Sequence, residues 1–300
     1  MNASPAMDAT DETAKAPTRS GFVALLGAPN AGKSTLVNQL VGTKVSIVTH
    51  KVQTTRALVR GIAIRDRTQI VFVDTPGVFA PRRRLDRAMV RTAWGGAKDA
   101  DIVLPIIDAD RGINDEVLAI MERLKDVRQP KVLLLNKVDQ MRRDRLLAMT
   151  QEISTKGEFE RVFMISALNG SGCDDLMAFL ADRLPEGPWY YPEDQITDLP
   201  IRQLAAEITR EKLFLRLHQE LPYSSTVETE LWEERPDGSV RIEQTIYVER
   251  DSQKAIGQAA RKEITEAAER KVHLFLFVKV RENWGDDPER YREMGLDYSA

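Results

Sequence analysis

The sequence lacks features that several classes of protein require. A single cysteine, Cys173, excludes an internal disulfide and a cysteine-cluster metal site, and it is typical of a reducing cytoplasm. The three histidines, His50, His218 and His273, are too widely spaced for a metal-binding pattern. No run of 18 apolar residues occurs, so we expect no membrane-spanning helix. The first 20 residues lack the apolar stretch of a secretory signal and read as a disordered extension.

The composition is that of a globular chain of about two domains, with 300 residues, 42% of them hydrophobic, and a net charge of −3. From Gly21 to Leu184, short apolar runs alternate with amphipathic stretches. We predict strands at Phe22–Leu26, Gln69–Val73, Ile102–Ile107, Val132–Leu135 and Val162–Ile165, and helices at Lys33–Val41, Arg84–Trp94, Asp115–Asp126, Arg142–Ile153 and Asp174–Arg183. This pattern predicts an α/β domain with a mainly parallel sheet and helices on both faces. Pro105 would remove a hydrogen bond from its strand, so we expect a local irregularity there.

The pattern changes after the turn-forming run Pro185-Glu186-Gly187-Pro188, which marks a linker over residues 185–198. A smaller α+β domain is predicted over residues 199–284, and residues 285–300 form a C-terminal tail. The predicted elements of this α+β domain are helix Leu199–Gln219, strands Tyr223–Glu234 and Ser239–Glu249 joined by a turn at Pro236-Asp237-Gly238, helix Gln258–Lys271 and strand Val272–Val280.

An eight-residue motif follows the first predicted strand and begins the first predicted helix. It reads Gly27-Ala28-Pro29-Asn30-Ala31-Gly32-Lys33-Ser34, with Thr35 next, and it matches the phosphate-binding pattern G-x-x-x-x-G-K-[ST]. Glycines let backbone amides wrap the phosphates, and the helix directs its positive end at the same charge. We expect Lys33 to reach the β- and γ-phosphates and Ser34 to ligate Mg²⁺. The flanking strand and helix argue against a chance glycine-rich turn.

Three further motifs follow predicted strands. Asp74-Thr75-Pro76-Gly77 offers a carboxylate for the Mg²⁺ shell and a glycine amide for the γ-phosphate. In Asn136-Lys137-Val138-Asp139, the Asp139 carboxylate can accept hydrogen bonds from N1 and N2 of guanine, a donor pair that adenine lacks. The backbone of Ser166-Ala167 can touch the base. The motifs at residues 74–77 and 136–139 could each be a plain turn or loop after a strand. Their order after the phosphate-binding motif favours a GTP site instead.

The four motifs in this order resemble the signature of the Ras-like GTPases related to translation factors. Further runs are similar to the Era family of bacterial GTPases, over residues 21–284. They are Gln53-Thr54-Thr55-Arg56, Asp74-Thr75-Pro76-Gly77-Val78-Phe79, Ser166-Ala167-Leu168-Asn169-Gly170 and Val278-Lys279-Val280 with Trp284.

The resemblance implies binding of GTP and GDP with Mg²⁺ and hydrolysis of GTP. The polar segment of residues 44–56 corresponds to switch I, in which a threonine, Thr55 rather than Thr54, closes on Mg²⁺. The implied metal ligands are Ser34, Thr55 and Asp74, and the implied catalytic set adds Lys33 and Gly77. Asn30 matches an asparagine that helps to bind K⁺ in some relatives.

Val78 occupies the position where other Ras-like enzymes carry the glutamine that orients water. An aliphatic side chain cannot orient water, so slow intrinsic hydrolysis is expected.

The second domain resembles a type II KH domain, the RNA-binding module of the Era family, but it departs from that pattern. KH domains hold single-stranded RNA with a G-x-x-G loop between two helices. Here Ile256 is followed directly by Gly257, and about a dozen residues of the KH pattern are missing. No G-x-x-G occurs in residues 190–300. The region 190–300 has 16 Lys and Arg against 23 Asp and Glu, a net charge of −7, whereas RNA-binding modules are usually basic. An incomplete sequence, a deliberate deletion and a divergent relative all remain open, and the abrupt join favours excision over drift.

The resemblance implies a GTPase switch that binds 16S rRNA and the 30S subunit and supports small-subunit ribosome assembly. It also implies a cytoplasmic location, with peripheral contact to the inner face of the cell membrane as a further option. No strong basic amphipathic helix supports that membrane contact. Monomer is the default oligomeric state. A tRNA-modification or transport GTPase of the same superclass is the alternative, which the second domain disfavours. A P-loop ATPase or small-molecule kinase is disfavoured by Asp139.

Overall fold

The computed structural model describes residues 17–51, 54–216, 225–248, 271–280 and 287–299. The elements of the first domain are β1 (Arg19–Leu26), α1 (Lys33–Val41), β2 (Val59–Arg65), β3 (Thr68–Asp74), α2 (Arg84–Lys98), β4 (Ile102–Asp108), α3 (Asp115–Leu124), β5 (Val132–Asn136), α4 (Arg143–Ser154), β6 (Arg161–Ile165) and α5 (Cys173–Arg183). The second region contains α6 (Ile201–Arg216), β7 (Ser225–Glu234), β8 (Val240–Val248), β9 (Val272–Val280) and α7 (Pro288–Glu293).

The first domain is built on a six-stranded sheet in the order β2-β3-β1-β4-β5-β6. Every pair is parallel except β2 with β3, so the expectation of a mainly parallel α/β sheet is confirmed. Strand β2 was not predicted from the sequence. Gly61 interrupts its apolar pattern, and a Cβ there would lie 2.8 Å from Val41 Cγ2 in α1. Close packing of α1 against β2 therefore requires a glycine at position 61, and that glycine interrupts the apolar pattern by which a strand is recognised in the sequence.

The expected irregularity in β4 is present at Pro105. Pro105 pairs with Leu26 of β1, but the ladder to β5 begins only at Ile106. A single bridge, Val103 with Lys131, lies on the other side of the proline. The missing amide hydrogen thus breaks the β4–β5 ladder without ending the strand.

Helices cover both faces of this sheet, which explains why its strands are almost continuously apolar. On one face α1 and α5 bury a cluster that includes Leu36 and Leu180. On the other face α2, α3 and α4 bury a second cluster that includes Trp94 and Ile120. Within the described residues, no helix is long and apolar enough to cross a membrane.

The predicted linker contacts β3 and the edge strand β2 of the first sheet. Gln69 of β3 holds it through both amide atoms, accepting from Tyr190 N at 2.9 Å and Tyr191 N at 3.0 Å and donating to Tyr191 O at 2.8 Å. At its far end Ile62 N donates to Ile196 O at 2.8 Å. These contacts fix where the second domain begins.

The second domain is a three-stranded sheet with α6 packed on it. Strand β8 is antiparallel to β7 and parallel to β9. Leu204 and Ile208 of α6 pack against Ile242 and Val272. The predicted helix 258–271 and the join at 256–257 lie outside the described residues, apart from Lys271, which is not helical. The described elements follow the predicted helix–strand–strand order and end in the predicted last strand.

The C-terminal tail does not belong to the second domain. Its helix α7 and the residues after it pack on α2 of the first domain, where Tyr291 is fully buried against Leu85 and Met89. Arg91 of α2 forms an ion pair with Asp297 at 3.2 Å. The sequence interpretation as a simple tail missed this contact, because Tyr291 is separated from Met89 by the whole second domain.

Candidate functional site

The candidate site is a cavity of about 300 Å³ at the carboxyl ends of the strands of the first sheet. Ligands of open α/β sheets bind at this edge. All four sequence motifs contribute to its wall. The lining residues from those motifs are Pro29, Asn30, Gly32, Lys33, Ser34, Thr35, Thr75, Gly77, Asn136, Lys137, Asp139, Ser166 and Ala167.

The phosphate-binding loop is tight and is held from two directions. Gly32 has a φ of 100°, and a Cβ at this position would collide with the amide nitrogen of Asn136. That nitrogen donates to Ala31 O at 2.8 Å, so the third motif supports the first. Helix α1 begins directly afterwards at Lys33. The first amides of a helix have no partner within the helix, so here they are available to a ligand in the cavity.

Lys33 is a buried cation whose hydrogen bonds, among the described residues, go to backbone carbonyl groups. Its Nζ donates to Gly27 O and Ala28 O, each at 3.0 Å. Burial lowers its pKa to about 8, and the nearby Asp74 carboxylate offsets part of that shift. A buried ammonium favours an anion beside it, so this group fits a ligand that carries phosphates.

The Asp74 carboxylate is fully buried beside Ser34. Burial raises its pKa, while hydrogen bonds from Ser34, Ser46 and Thr55 and the Lys33 charge oppose the rise. Its Oδ2 accepts from Ser34 Oγ and Ser46 Oγ, each at 2.6 Å, and Oδ1 has no hydrogen-bond partner among the described residues. Oxygen ligands beside a phosphate site suit Mg²⁺. Ser46 was missed by the sequence interpretation because it belongs to no motif.

The two candidate switch I threonines point in different directions. Thr55 Oγ1 lies 3.0 Å from Ser34 Oγ and 3.3 Å from Asp74 Oδ2. Thr54 Oγ1 instead donates to Lys51 O at 2.7 Å within its own segment. The geometry therefore favours Thr55 as the residue that can close on a metal ion.

The residues after Asp74 cross the phosphate-binding loop. Gly77 lies against Pro29, and Val78 N donates to Gly27 O at 3.0 Å. The Val78 side chain is buried in the apolar cluster beneath α2. It contributes no polar group to the cavity.

The base end of the cavity is built around Asn136 and Asp139. Asn136 is buried, and its Oδ1 accepts from Ala167 N at 2.9 Å, so one amide side chain links three motifs. Asp139 lies on a short 3₁₀ turn, Val138–Gln140, and its exposed carboxylate stands at the wall of the cavity. Ser166 borders the cavity but is fully buried, and its backbone N donates to Ser171 O at 2.9 Å.

Switch I is held from outside the first domain by α6. Glu211 of α6 accepts from Val48 N at 2.8 Å and forms an ion pair with Lys44 Nζ at 2.5 Å. Its carboxylate is almost completely buried in this contact. No sequence signal marks Glu211, because a single acidic residue on a helix is usually exposed.

Two arginines complete this contact. Arg210 Nη2 of α6 donates to Thr54 O at 2.5 Å, and Arg56 Nη1 donates to Ser225 O of β7 at 3.0 Å. Both guanidinium groups lie over the Phe214 ring. Burial, and then the neighbouring Arg210 charge, lower the pKa of Arg56 to about 9. The residue next to Thr55 on each side is thus tied to the second domain.

The fold and the cavity define a P-loop nucleotide-binding protein of the α/β class with a second, α+β domain. A model of the family described as "50S ribosome-binding GTPase" matches residues 22–137, and a KH-domain model matches residues 220–285. "GTPase Era" of Mesorhizobium japonicum is 73% identical over 96% of this chain and 97% of that protein. "GTPase Era" of Brucella suis is 72% identical over 96% of each chain. The chain belongs to the Era family of GTPases, and its enzymatic activity is hydrolysis of GTP.

Two solved structures have the same fold. One is Era in complex with MgGDPNP and nucleotides 1506–1542 of 16S ribosomal RNA, and the other is a variant of Aquifex aeolicus Era bound to GDP and AlF₄⁻. Each is 37% identical to this chain with a TM-score of 0.87, covering 93% of this chain and 99% of the other. The expected fold, a P-loop GTPase domain followed by a KH domain, is confirmed.

The alignment with the Mesorhizobium protein is longer than the part of this chain that it covers. It has 300 aligned positions but covers only 96% of this 300-residue chain. Some aligned positions of that relative therefore have no counterpart here.

Proposed function

We propose that the cavity at the carboxyl ends of the first sheet is the GTP site and that the motif residues have the roles expected from the sequence. The observation that carries the proposal is the convergence of all four motifs on one cavity with a buried ammonium at its phosphate end. Lys33 binds the β- and γ-phosphates, Ser34, Thr55 and Asp74 hold Mg²⁺, and Gly77 donates its amide to the γ-phosphate. When bound, Mg²⁺ neutralises charge that develops on the phosphates.

The proposed hydrolysis is slow and independent of a glutamine. Val78 is buried beneath α2, and the corresponding position therefore offers nothing that orients water. Water positioning is left to backbone groups of switch I and of Gly77. This makes the chain a switch with a long-lived GTP state rather than a rapid catalyst.

We further propose that K⁺ binds beside the phosphates at Asn30 and stimulates hydrolysis. Asn30 lies in the cavity wall with a φ of 63°, and its Nδ2 donates to His50 O of switch I at 2.8 Å. Carbonyl oxygens, such as those at this junction, are suitable ligands for K⁺. Turnover measured in KCl is expected to exceed turnover in NaCl at equal ionic strength, and Asn30→Ala is expected to remove the difference. Equal rates in the two salts for the unmodified chain contradict the proposal.

The contact between α6 and switch I supports a coupling of nucleotide state to the second domain. Glu211 and Arg210 bind the segment that contains Thr55, and Arg56 reaches back to β7. A change in switch I on hydrolysis alters these bonds. We propose that GTP and GDP states thereby favour different placements of the KH domain on the first domain.

The proposed partner is the 3′ region of 16S rRNA within the 30S subunit, and the proposed role is small-subunit ribosome assembly. Support comes from the KH-domain match and from the 37% identical Era structure that contains a 16S rRNA fragment. The alternative, a tRNA-modification or transport GTPase of the same superclass, is disfavoured by the same match. We propose a monomer in the cytoplasm, in keeping with the single cysteine, and peripheral membrane contact as a secondary property.

RNA affinity is expected to be weak in this chain and to be restored by the missing loop. The test is filter binding of an oligonucleotide with the 16S rRNA 3′ end at a stated salt concentration. One protein is the chain as it stands, and the other carries a G-x-x-G loop of about a dozen residues between Ile256 and Gly257. We expect the insertion to strengthen binding by on the order of tenfold or more, because a KH domain clamps RNA with that loop.

The control is an insertion of equal length in which both glycines are replaced by aspartate, which should bind as weakly as the chain itself. Tight binding by the unmodified chain would show that the loop is not required. Weak binding by all three proteins would refute the RNA role of this domain.

A further inference from the structure

A fully formed ion pair stands beside the base end of the cavity and involves a residue outside the four motifs. Asp108 is the last residue of β4 and pairs in register with Asn136 at the end of β5. Its Oδ2 lies 2.6 Å from Lys137 Nζ. Asp108 is buried, with 7% of the residue exposed, whereas Lys137 borders the cavity.

The carboxylate is held rigidly on its own side of the pair. Asp108 Oδ1 accepts from Asp110 N at 3.1 Å and Arg111 N at 3.4 Å, and Gly112 N donates to Asp108 O at 3.1 Å. These bonds anchor the loop that follows β4. They leave Oδ2 directed at the lysine.

Lys137 is held in a backbone conformation that a lysine rarely adopts. Its φ is 66°, and it precedes the 3₁₀ turn that carries Asp139. Such left-handed residues persist only when their surroundings stabilise them. The backbone on one side is fixed because Ala109 N donates to Asn136 O at 2.9 Å. The side chain is fixed by Asp108.

We propose that Asp108 is a positioning residue for the guanine-nucleotide site, acting through Lys137 on the affinity for GDP and GTP. The pair holds the Lys137 stem along the wall between the phosphate-binding loop and Asp139. Without Asp108, the Lys137 ammonium extends into water. The cavity wall must then become ordered when nucleotide binds, which lowers the affinity. The inference rests on the proposed GTP site and adds to it a determinant that lies outside every motif.

Asp108→Asn separates this role from the support of the loop. The asparagine keeps an oxygen for the amides of Asp110 and Arg111 but presents an NH₂ group, itself a donor, to the lysine. We expect the Kd for GDP and for GTP to rise by on the order of tenfold together, because an ion pair to a charged group is lost. The kcat at saturating GTP should stay within about twofold, since the hydrolysis step does not involve this wall. Asp108→Glu keeps the charge and should restore part of the affinity.

Coupling between the two residues is measured by adding Lys137→Met. In that background Asp108→Asn should change the Kd for GDP by less than about twofold, because there is no ammonium left to position. Asp110→Asn, at an exposed neighbour, is the matched control and should bind like the unmodified chain. Thermal unfolding without nucleotide checks that every variant folds.

Three results would overturn the inference: wild-type affinity in Asp108→Asn, an equal loss in the Lys137→Met background, or a fall in kcat at unchanged affinity. The second of these would show that Asp108 only supports the fold. Failure of the GTP site itself has a different signature, since the unmodified chain would then not bind GDP or GTP. If Asp108→Asn does not fold, Asp108→Glu and Lys137→Met still carry the test.

Discussion

Lys33→Ala is expected to abolish GTP hydrolysis and to weaken GDP and GTP binding by about 100-fold or more. The Lys33 ammonium is buried at the phosphate end of the cavity, where Gly27 O and Ala28 O accept its hydrogen bonds. Charge-assisted bonds to phosphate are about twice as strong as neutral ones, and the attraction of the ammonium charge for the phosphates is lost as well. Equilibrium binding of a fluorescent GDP analogue and release of inorganic phosphate measure the two effects.

The same substitution should leave the protein folded without nucleotide. Removing the buried ammonium relieves its desolvation cost but also removes the positive charge near the buried Asp74 carboxylate, so we expect the melting temperature of the nucleotide-free variant to change little. GDP raises the melting temperature of the unmodified chain by linkage, and it should not do so in Lys33→Ala. Lys98→Ala, at an exposed position on α2, is the control and should keep the shift. Wild-type turnover in Lys33→Ala would refute the proposed role.

Asp139→Asn is expected to lower affinity for GDP and GTP by about 100-fold and to create a preference for xanthosine nucleotides. The carboxylate stands at the wall of the cavity and can accept from both N1 and N2 of guanine. An asparagine loses one acceptor, and its NH₂ group suits the carbonyl oxygen that xanthine carries at position 2. Two charge-assisted hydrogen bonds account for the expected size of the loss.

Competition between GDP, XDP and ADP for the same site measures this selectivity. The Asp139→Asn protein should prefer XDP to GDP, while ADP stays weak in every protein. Asp144→Asn, on the exposed side of α4, should leave the preference for GDP unchanged. Unchanged GTP affinity in Asp139→Asn would remove the guanine assignment but not the phosphate site.

The parts of the site that the sequence predicts are those encoded by contiguous residues. The phosphate-binding loop, Asp74 and Asn136–Asp139 each follow a buried strand, so their positions at one edge of the sheet follow from parallel pairing. Ser46 and Glu211 were missed. Each reaches the site through a contact with a residue far along the chain, Asp74 or Val48, and nothing in the residues around them encodes that contact.

The fold shows the same limit. The strands of the first sheet were predicted because both of their faces are apolar, whereas the edge strand β2 was not, since Gly61 breaks its pattern. The second domain was predicted in its described elements from alternation and a turn. The contact of Tyr291 with α2 could not be read from any local pattern.

The packing of Tyr291 on α2 has a consequence for synthesis on the ribosome. Leu85 and Met89 leave the exit tunnel long before Tyr291, the residue that covers them. Roughly 200 residues separate Met89 from Tyr291. At a synthesis rate of 5–20 residues per second, this face of α2 therefore stays uncovered for on the order of 10 s or more. The helix that follows Gly77 is therefore the last part of the first domain to be completed. A nascent chain can form its nucleotide cavity before Tyr291 is made, but it gains its full apolar core only when α7 arrives.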